Sequence, residues 1–410
     1  AVTVTNPPPA IVATSPFLGF RARHFGLVWF SGFIWHLCRW GVAFLGTYLI
    51  NELTGSPRLV QLAGTTLYAP LLLGGVIGGV LSDRMDRLAT VRTQMAAMVP
   101  ITIVIGVLVR SGDIAVWMIY VYMFMVGFGW VSDMTSRRAL VFDLVGEELL
   151  DKAMAMEAMS LAMGMVFGAL VGGYAIDSVG IGAAYFAIAG FAFVALLALM
   201  PVSSPPQVAR ESDTANGPTV RELTRHRGLI SILGVTVIAN FFLFAYFPII
   251  PVIAEDLDAS PFQVGLLAGG TGIGMMTGSL VMARFTPRRR GMAYLAGLFV
   301  AFGFLVVFAI GTNYWFVFAA IIASGVGSGV FGATQSTLVM AAVPEPARGK
   351  ALGLLSMAIG GLPLGMYLLG ELAEATSATT GLLINAFVGA VVLAGWVMVR
   401  PEVATMTDSD

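Results

Sequence analysis

Long apolar runs, each broken by a few polar residues, recur from Phe25 to Val399 of this 410-residue chain. A helix needs about 20 mainly apolar residues to cross a hydrocarbon core about 30 Å thick, and these runs have that length. They are continuously apolar rather than alternating, which separates them from the strands of a transmembrane barrel. Runs and breaks together predict spans near 25–51, 58–82, 91–110, 114–136, 153–176 and 180–200, then 228–254, 262–284, 291–311, 314–342, 350–374 and 378–399. The expected fold is an all-α integral membrane protein of twelve transmembrane helices in two six-helix bundles, residues 25–200 and 228–399. Residues 1–24 hold Asn6, Pro7, Pro8 and Pro9 and no basic stretch ahead of a short apolar core, so they read as a flexible tail rather than a signal peptide. Residues 201–227 open on Ser203, Ser204, Pro205 and Pro206 and read as a linker in water, with Val220 to Gly228 expected to form a short basic surface helix. Residues 400–410 read as a second tail.

Composition agrees with this pattern. Hydrophobic residues make up 58% of the chain and charged ones 11%, about half the charge of a soluble domain, so the polar surface is too small to cover the molecule in water. The basic residues are scattered among loops, which excludes a nucleic-acid surface. Their placement also gives an orientation, since Lys and Arg accumulate in cytoplasmic loops. Arg21, Arg23, Arg84, Arg87, Arg92, Arg137, Arg138, Lys152, the 201–227 linker, Arg288, Arg289, Arg290, Arg348 and Lys350 fall on one side, and only Arg58 and Arg110 on the other. Both termini and the linker are therefore expected in the cytoplasm, with Glu255, Asp256 and Asp258 outside and the chain in the cell membrane. Cys38 is the only cysteine, which excludes an intrachain disulfide and a cysteine metal cluster.

The two bundles repeat. A shift of 198 positions sets Gly127-Phe128-Gly129 on Gly325-Val326-Gly327, Leu140-Val141 on Leu338-Val339, Glu147 on Glu345, Lys152-Ala153 on Lys350-Ala351 and Gly172 on Gly370. At another offset, Ser56-Pro57 and Ser260-Pro261 each open the second span of their half. Parallel repeats related by an axis along the membrane normal are a transporter design, with the substrate between the halves.

The loop after the second span reads Gly79-Val80-Leu81-Ser82-Asp83-Arg84-Met85-Asp86-Arg87. This resembles the signature of the major facilitator superfamily between its second and third helices, and Asp86, in place of a usual glycine, is similar to the siderophore-exporter and drug-efflux branch. Physically, Gly79 permits close helix contact, Asp83 at a helix end can face the positive N-terminus of another helix, and Arg87 can pair with an acid, Asp133 or Asp143. The resemblance implies a cytoplasmic gate formed by Gly79, Asp83, Arg84, Arg87, Asp133 and Asp143. The equivalent second-half loop, Gly278 to Arg284, lacks the Asp-Arg pair. The stretches RRALVFDLVGEELLDKAMAM and VPEPARGKALGLL look like the branch's two half-to-half cytoplasmic loops. In the fifth span Gly164, Gly168, Gly172 and Gly173 resemble the superfamily's antiporter signature, with Ala169 where it has proline; four-residue spacing makes a flat ridge that also suits plain close packing. The family's fourth-helix arginine falls on Met123.

Ionisable groups inside the membrane are costly, so they mark function or a partner. Arg39 lies roughly 20 Å along the first span. Gly32, His36, Arg39, Ala43 and Gly46 share a small, polar face there, with Phe33, Leu37, Trp40 and Phe44 opposite. Arg39 can bind an anionic substrate group or pair with an internal acid, and His36 can titrate near neutral pH. Glu157 shares the glycine face of the fifth span and is a candidate proton site or a partner for Lys152 or Arg138. Asp133 and Arg137, four apart, can pair with each other. Tyr68, Trp130 and Tyr246 are candidate aromatic walls of a cavity, and Asn240 and Gln335 neutral polar contacts. Three histidines, one cysteine and no nucleotide-binding loop leave little for an enzyme or an ATP-driven pump, and no cofactor or metal is expected. The expected function is proton-coupled efflux of a small amphipathic molecule, a drug, siderophore or metabolite, by a monomer in contact with membrane lipids. Uptake or uniport of an organic anion, and lipid translocation, are the alternatives.

Overall fold

The computed structural model describes residues 20, 22–72, 86–204, 220–285 and 287–406. Its long helices are α1 (Phe25–Thr54), α2 (Pro57–Tyr68, helical again over 70–72), α3 (Arg87–Ser111), α4 (Val116–Gly146), α5 (Glu148–Val179) and α6 (Ile181–Leu199). In the second half they are α7 (Arg227–Glu255), α8 (Pro261–Arg284), α9 (Arg290–Ile310), α10 (Tyr314–Ala341), α11 (Glu345–Ala375) and α12 (Ala378–Val399). Eleven are long and apolar enough to cross a membrane, and the description of the twelfth, α2, stops at Leu72. Gly79, Asp83 and Arg84 of the expected gate lie outside the described residues.

Helix starts follow their capping residues. Ser56 accepts a hydrogen bond from the Leu59 amide, and Ser260 forms a reciprocal box with Gln263; each is followed by proline, whose missing N–H is harmless at a first helical position. Asp86, Asn313 and Ser377 cap α3, α10 and α12 in the same way.

Three boundaries differ from the sequence expectation. The predicted loop between the fourth and fifth spans is helical, interrupted only at Gly146, whose φ of 69° is left-handed. Its Ala, Leu, Glu and Lys residues are strong helix formers, so the loss of hydrophobicity marks the exit from lipid and not the end of the helix. For the same reason α11 starts at Glu345, about a turn and a half before the predicted 350. The surface helix expected over 220–228 is one turn, Val220–Leu223.

Two helices are broken in mid-membrane. In α7 a regular stretch, Arg227–Ile238, gives way to a π turn over Ala239–Leu243 and a 3-10 stretch over Phe244–Ile249, with Pro248 and Pro251 removing amide donors. In α11 the chain breaks at Gly360 and Gly361, just before Pro363. Side chains of α2 reach the backbone beside both breaks: Gln61 donates to the Ala245 oxygen at 3.1 Å, and Thr65 to the Pro363 oxygen at 3.3 Å. Irregular backbone in lipid persists only where neighbouring groups satisfy it in this way.

Glycine sets the closest helix contacts. Gly164, Gly168 and Gly172 of α5 press on His36, on the Leu37–Gly41 backbone and on Phe44 of α1, and Gly173 faces Pro261 and Gly265 of α8. Among lipid-embedded helices such close packing replaces the hydrophobic drive available in water.

The halves meet along α2–α11 and α5–α8. At the Ser56 end the seam is sealed. Asn51 donates to Glu255 at 3.0 Å, Ser56 and the Arg58 amide donate to Glu374, and Ser260 and the Phe262 amide donate to Asp177. Toward the Arg87 end the described residues of α5 and α8 part. The α5–α8 contact runs from Gly173 and Gly265 to Val166 and Gly272, beyond which Met159, Leu161, Leu280 and Val281 are exposed. Among the described residues Arg348–Ile359 of α11 packs mainly on α7 and α10 of its own half.

Candidate functional site

At the middle of α1, beside the seam, Arg39 is 1% exposed. Its guanidinium carbon lies 3.8 Å from the Trp130 ring centre, 4.6 Å from Trp40 and 5.5 Å from Tyr68, and Nη2 donates to the Tyr68 hydroxyl at 3.3 Å. Tyr68 and Trp130 themselves meet edge to face, 5.6 Å apart. Indole and phenol faces attract a cation in a desolvated site, so the three rings hold the charge without neutralising it. Among the described residues Arg39 Nε and Nη1 have no hydrogen-bond partner, and none of the described ion pairs includes Arg39. Leaving a buried charged donor unmade costs upwards of about 1–3 kcal/mol, so an acceptor placed here would recover that cost.

Trp40 departs from the helix-face expectation, which set it opposite Arg39. Neighbouring residues of a helix diverge by only about 100°. The long arginine side chain therefore reaches its own neighbour's ring. A small cavity, about 50 Å³, lies on the Ser56 side of this cage between Thr47 and Met123 of one half and Phe247 and Pro248 of the other.

His36, one turn toward the Arg87 end, is packed on Gly164 with its Nδ1 unpartnered, within the electrostatic reach of Arg39, Arg137 and Arg138. Below it Arg137, 2% exposed, donates through Nε and Nη2 to Asp133 at 2.8–3.0 Å and through Nη1 to the Val28 carbonyl at 3.0 Å, tying α4 to α1. Glu157 of α5 is half-buried, with a buried Oε1 that has no partner, in the field of Arg137, Asp133 and Arg138. Asp133 and Arg137 thus pair with each other, and the acid facing Arg87 is Asp143, 2.6 Å from Arg87 Nη1. Asp86, at the start of α3, has its carboxyl held below the usual carboxylate range by the Ala89 amide.

The second-half candidates are already paired. Asn240 donates to the Thr236 carbonyl and Gln335 to the Thr236 hydroxyl, both at 2.9 Å, and Tyr246 shares a hydrogen with Thr271 at 2.7 Å. They lie at the π turn and 3-10 stretch of α7 and on the facing α10, away from the Arg39 cage. Sequence reasoning missed the seal at the Ser56 end, formed by Asn51, Asp177, Glu255 and Glu374 with Ser56 and Ser260. Capping Ser-Pro pairs beside acidic loop residues were its sequence signal. Among the described residues no group of three His, Cys, Asp or Glu side chains could hold a metal.

A family profile described as transmembrane secretion effector matches residues 14–410. Enterobactin exporter EntS of Shigella flexneri is 25% identical over 353 residues, covering 82% of this chain and 83% of that protein. The same exporter of Citrobacter koseri is 26% identical over 338 residues, covering 79% of each. Among solved structures, a bacterial homolog of the human lysosomal transporter Spinster, inward-facing and unoccupied, superposes with a TM-score of 0.76 at 15% identity, over 93% of this chain and 97% of that one. A POT family transporter in complex with a thioalcohol conjugated peptide gives 0.76 at 11% identity, over 93% and 96%. The chain therefore belongs to the transmembrane secretion effector family and is a multi-pass membrane transporter of small molecules with the major facilitator fold.

Proposed function

We propose that this transporter exports small amphipathic molecules bearing an anionic group, in exchange for protons, by alternating access. The observation that carries the reading is Arg39, a buried cation with two unpaired donors, caged by aromatic rings at the seam between the halves. An amphipathic solute would place its anion on Nε and Nη1 and its apolar body against Trp40, Trp130 and Tyr68. Export as the direction draws on the likeness to enterobactin exporters, which makes a siderophore the first substrate to try. The proton would ride on Glu157, whose neighbours include cations of opposite sign, rather than on His36, whose charged neighbours share the sign of an imidazolium. By the positive-inside rule the Arg87 end is cytoplasmic, with both termini and the linker there, and the conformation parted at that end is inward-facing. The Arg87–Asp143 pair would be one element of the gate that closes it.

The test uses the purified protein in liposomes with an acidic lumen and labelled solutes offered outside. Protons leaving down their gradient should drive an anionic amphiphile inward, and a protonophore should abolish the accumulation. Facilitated movement that ignores the gradient would replace antiport with anion uniport, the second reading that Arg39 also favours. Movement of neutral amphiphiles alone would sink the Arg39 assignment.

A further inference from the structure

A second pocket, of about 420 Å³, lies away from the seam, between α3 and α4 with Trp35 of α1 also lining it. Thr93, Ala97, Phe124, Met125 and Phe128 are exposed along it, so in a membrane it opens sideways into lipid. Its lining changes with depth. Thr90, Thr93 and Gln94 occupy the first two turns of α3, and Ser132, on the antiparallel α4, lies at the same end. Deeper along both helices the lining is apolar, from Ala97 to Ile101 and from Val126 to Tyr122. Gln94 stands roughly 10 Å along α3 from Arg87, near the depth at which a lipid's ester region passes into hydrocarbon.

Two polar groups here have no partner among the described residues. Both amide atoms of Gln94 are buried and unbonded, and so is the indole N–H of Trp35, a side chain 2% exposed. An amide left dry and unpaired costs several kcal/mol, more than an apolar groove for packing alone would tolerate. The occupant must therefore carry hydrogen-bonding oxygen at the Gln94 level and an apolar tail below it.

We propose that this pocket binds one glycerolipid of the leaflet at the Arg87 end, with an acyl chain along Ala97 to Ile101 and an ester oxygen accepting from Gln94 and Trp35. Its volume lies within the range of about 300–1,000 Å³ usual for small-molecule sites, and the surrounding membrane supplies this ligand at saturating concentration. The site is separate from the Arg39 cage and does not depend on the transport direction.

The probe is a phosphatidylethanolamine with a diazirine on one acyl chain, present in trace amount in nanodiscs of phosphatidylethanolamine and phosphatidylglycerol holding the full chain. After irradiation, adducts on peptides covering 90–101 and 122–132 should exceed those on lipid-facing α6, α9 and α12 by roughly five-fold, the occupancy ratio of about 1 kcal/mol. Ala97→Phe, which fills the pocket from its rim, should remove the excess. Trp35→Phe combined with Gln94→Leu should weaken labelling by the ester-linked probe and leave an ether-linked one unchanged. Even labelling of all lipid-facing helices in the native protein overturns the proposal, whether or not Ala97→Phe folds. So does an excess that persists in folded Ala97→Phe, or one displaced by a transported solute, which would mark a substrate vestibule instead.

Discussion

Gly173→Ala should bias the transporter away from the conformation sealed at the Ser56 end. A methyl group at position 173 would stand 2.5 Å from the Pro261 carbonyl oxygen, and one at position 265 would stand 2.5 Å from the Ala169 oxygen. Ordinary van der Waals contact starts at 3.4 Å, so α5 and α8 must separate by about 0.9 Å, and both obstacles are backbone that cannot swing aside. Overpacking of this kind costs about 1–3 kcal/mol. Once the helices part at this end the clash is gone, so the whole penalty falls on the sealed state and shifts the ratio of states by about 5- to 150-fold. Spin labels at Asp113→Cys and Ala375→Cys, exposed residues at the Ser56 end of opposite halves, read the opening by electron–electron double resonance, while buried Cys38 stays unlabelled. Gly173→Ala and Gly265→Ala should each raise a longer-distance population. Gly190→Ala, whose methyl would meet nothing within 4 Å, should not. A folded Gly173→Ala variant with the native distance distribution would refute the reasoning, because the α5–α8 contact would then persist through the transport cycle.

Three further outcomes are expected. Arg39→Ala should weaken binding of an anionic substrate by about 10- to 150-fold, the worth of charge-assisted hydrogen bonds, and Arg39→Lys should recover only part because an ammonium lacks the planar stack on Trp130; equal loss for a neutral analogue would make Arg39 structural. Arg137→Ala leaves Asp133 buried and unpaired and should lower stability by about 3–5 kcal/mol, with Asp133→Ala restoring part of it in the double variant, as read by thermal melting. Asp86→Ala removes the cap of α3 and should destabilise by about 1 kcal/mol. Because folding depresses the Asp86 pKa, this contribution is complete above the unfolded value of about 3.9 and is lost as pH falls through the folded one. The melting gap between variant and native protein should accordingly stay constant from neutral pH down to about 5 and close below about 3.9; a gap that closes near neutrality would implicate another group.

Helix number and order are legible in the chain because lipid demands one long apolar run per crossing. Helix length is less so, because hydropathy marks the membrane surface while α4 and α5 continue past it to meet at Gly146. The breaks in α7 and α11 carry plain local signals, Pro248, Pro251 and the Gly360-Gly361-Leu362-Pro363 run. A reading based on unbroken hydrophobicity passes over them, since proline and glycine are tolerated in membrane helices. Arg39 stands out from sequence by the cost of its charge. Its surroundings do not, because Tyr68 and Trp130 reach it from α2 and α4, and helical periodicity put Trp40 on the opposite face. The choice between Asp133 and Asp143 as the partner of Arg87 likewise depends on how α3 and α4 pack, which spacing along one helix cannot decide.

The pairing of the polar groups bears on how a bound anion could leave. In the second half Asn240, Gln335 and Tyr246 spend their hydrogen bonds on Thr236 and Thr271, so that wall offers a ligand mainly apolar surface and the irregular backbone of α7. The unpaired donors of the aromatic cage belong to Arg39 of α1, in the first half. On the proposed reading an anion on Arg39 would be held by the first half, with Phe247 of the second half packed against Trp40 of the cage. Rocking the second half away at the Ser56 end would need to form no new contact with the solute. It would admit water through the small cavity beyond Trp40, hydrate the guanidinium, and weaken the anion's attraction by raising the local dielectric. A fixed charge in one half and a movable apolar wall in the other would thus supply both capture and release under the proposed cycle, and any coupling proton would have only to bias which end is open.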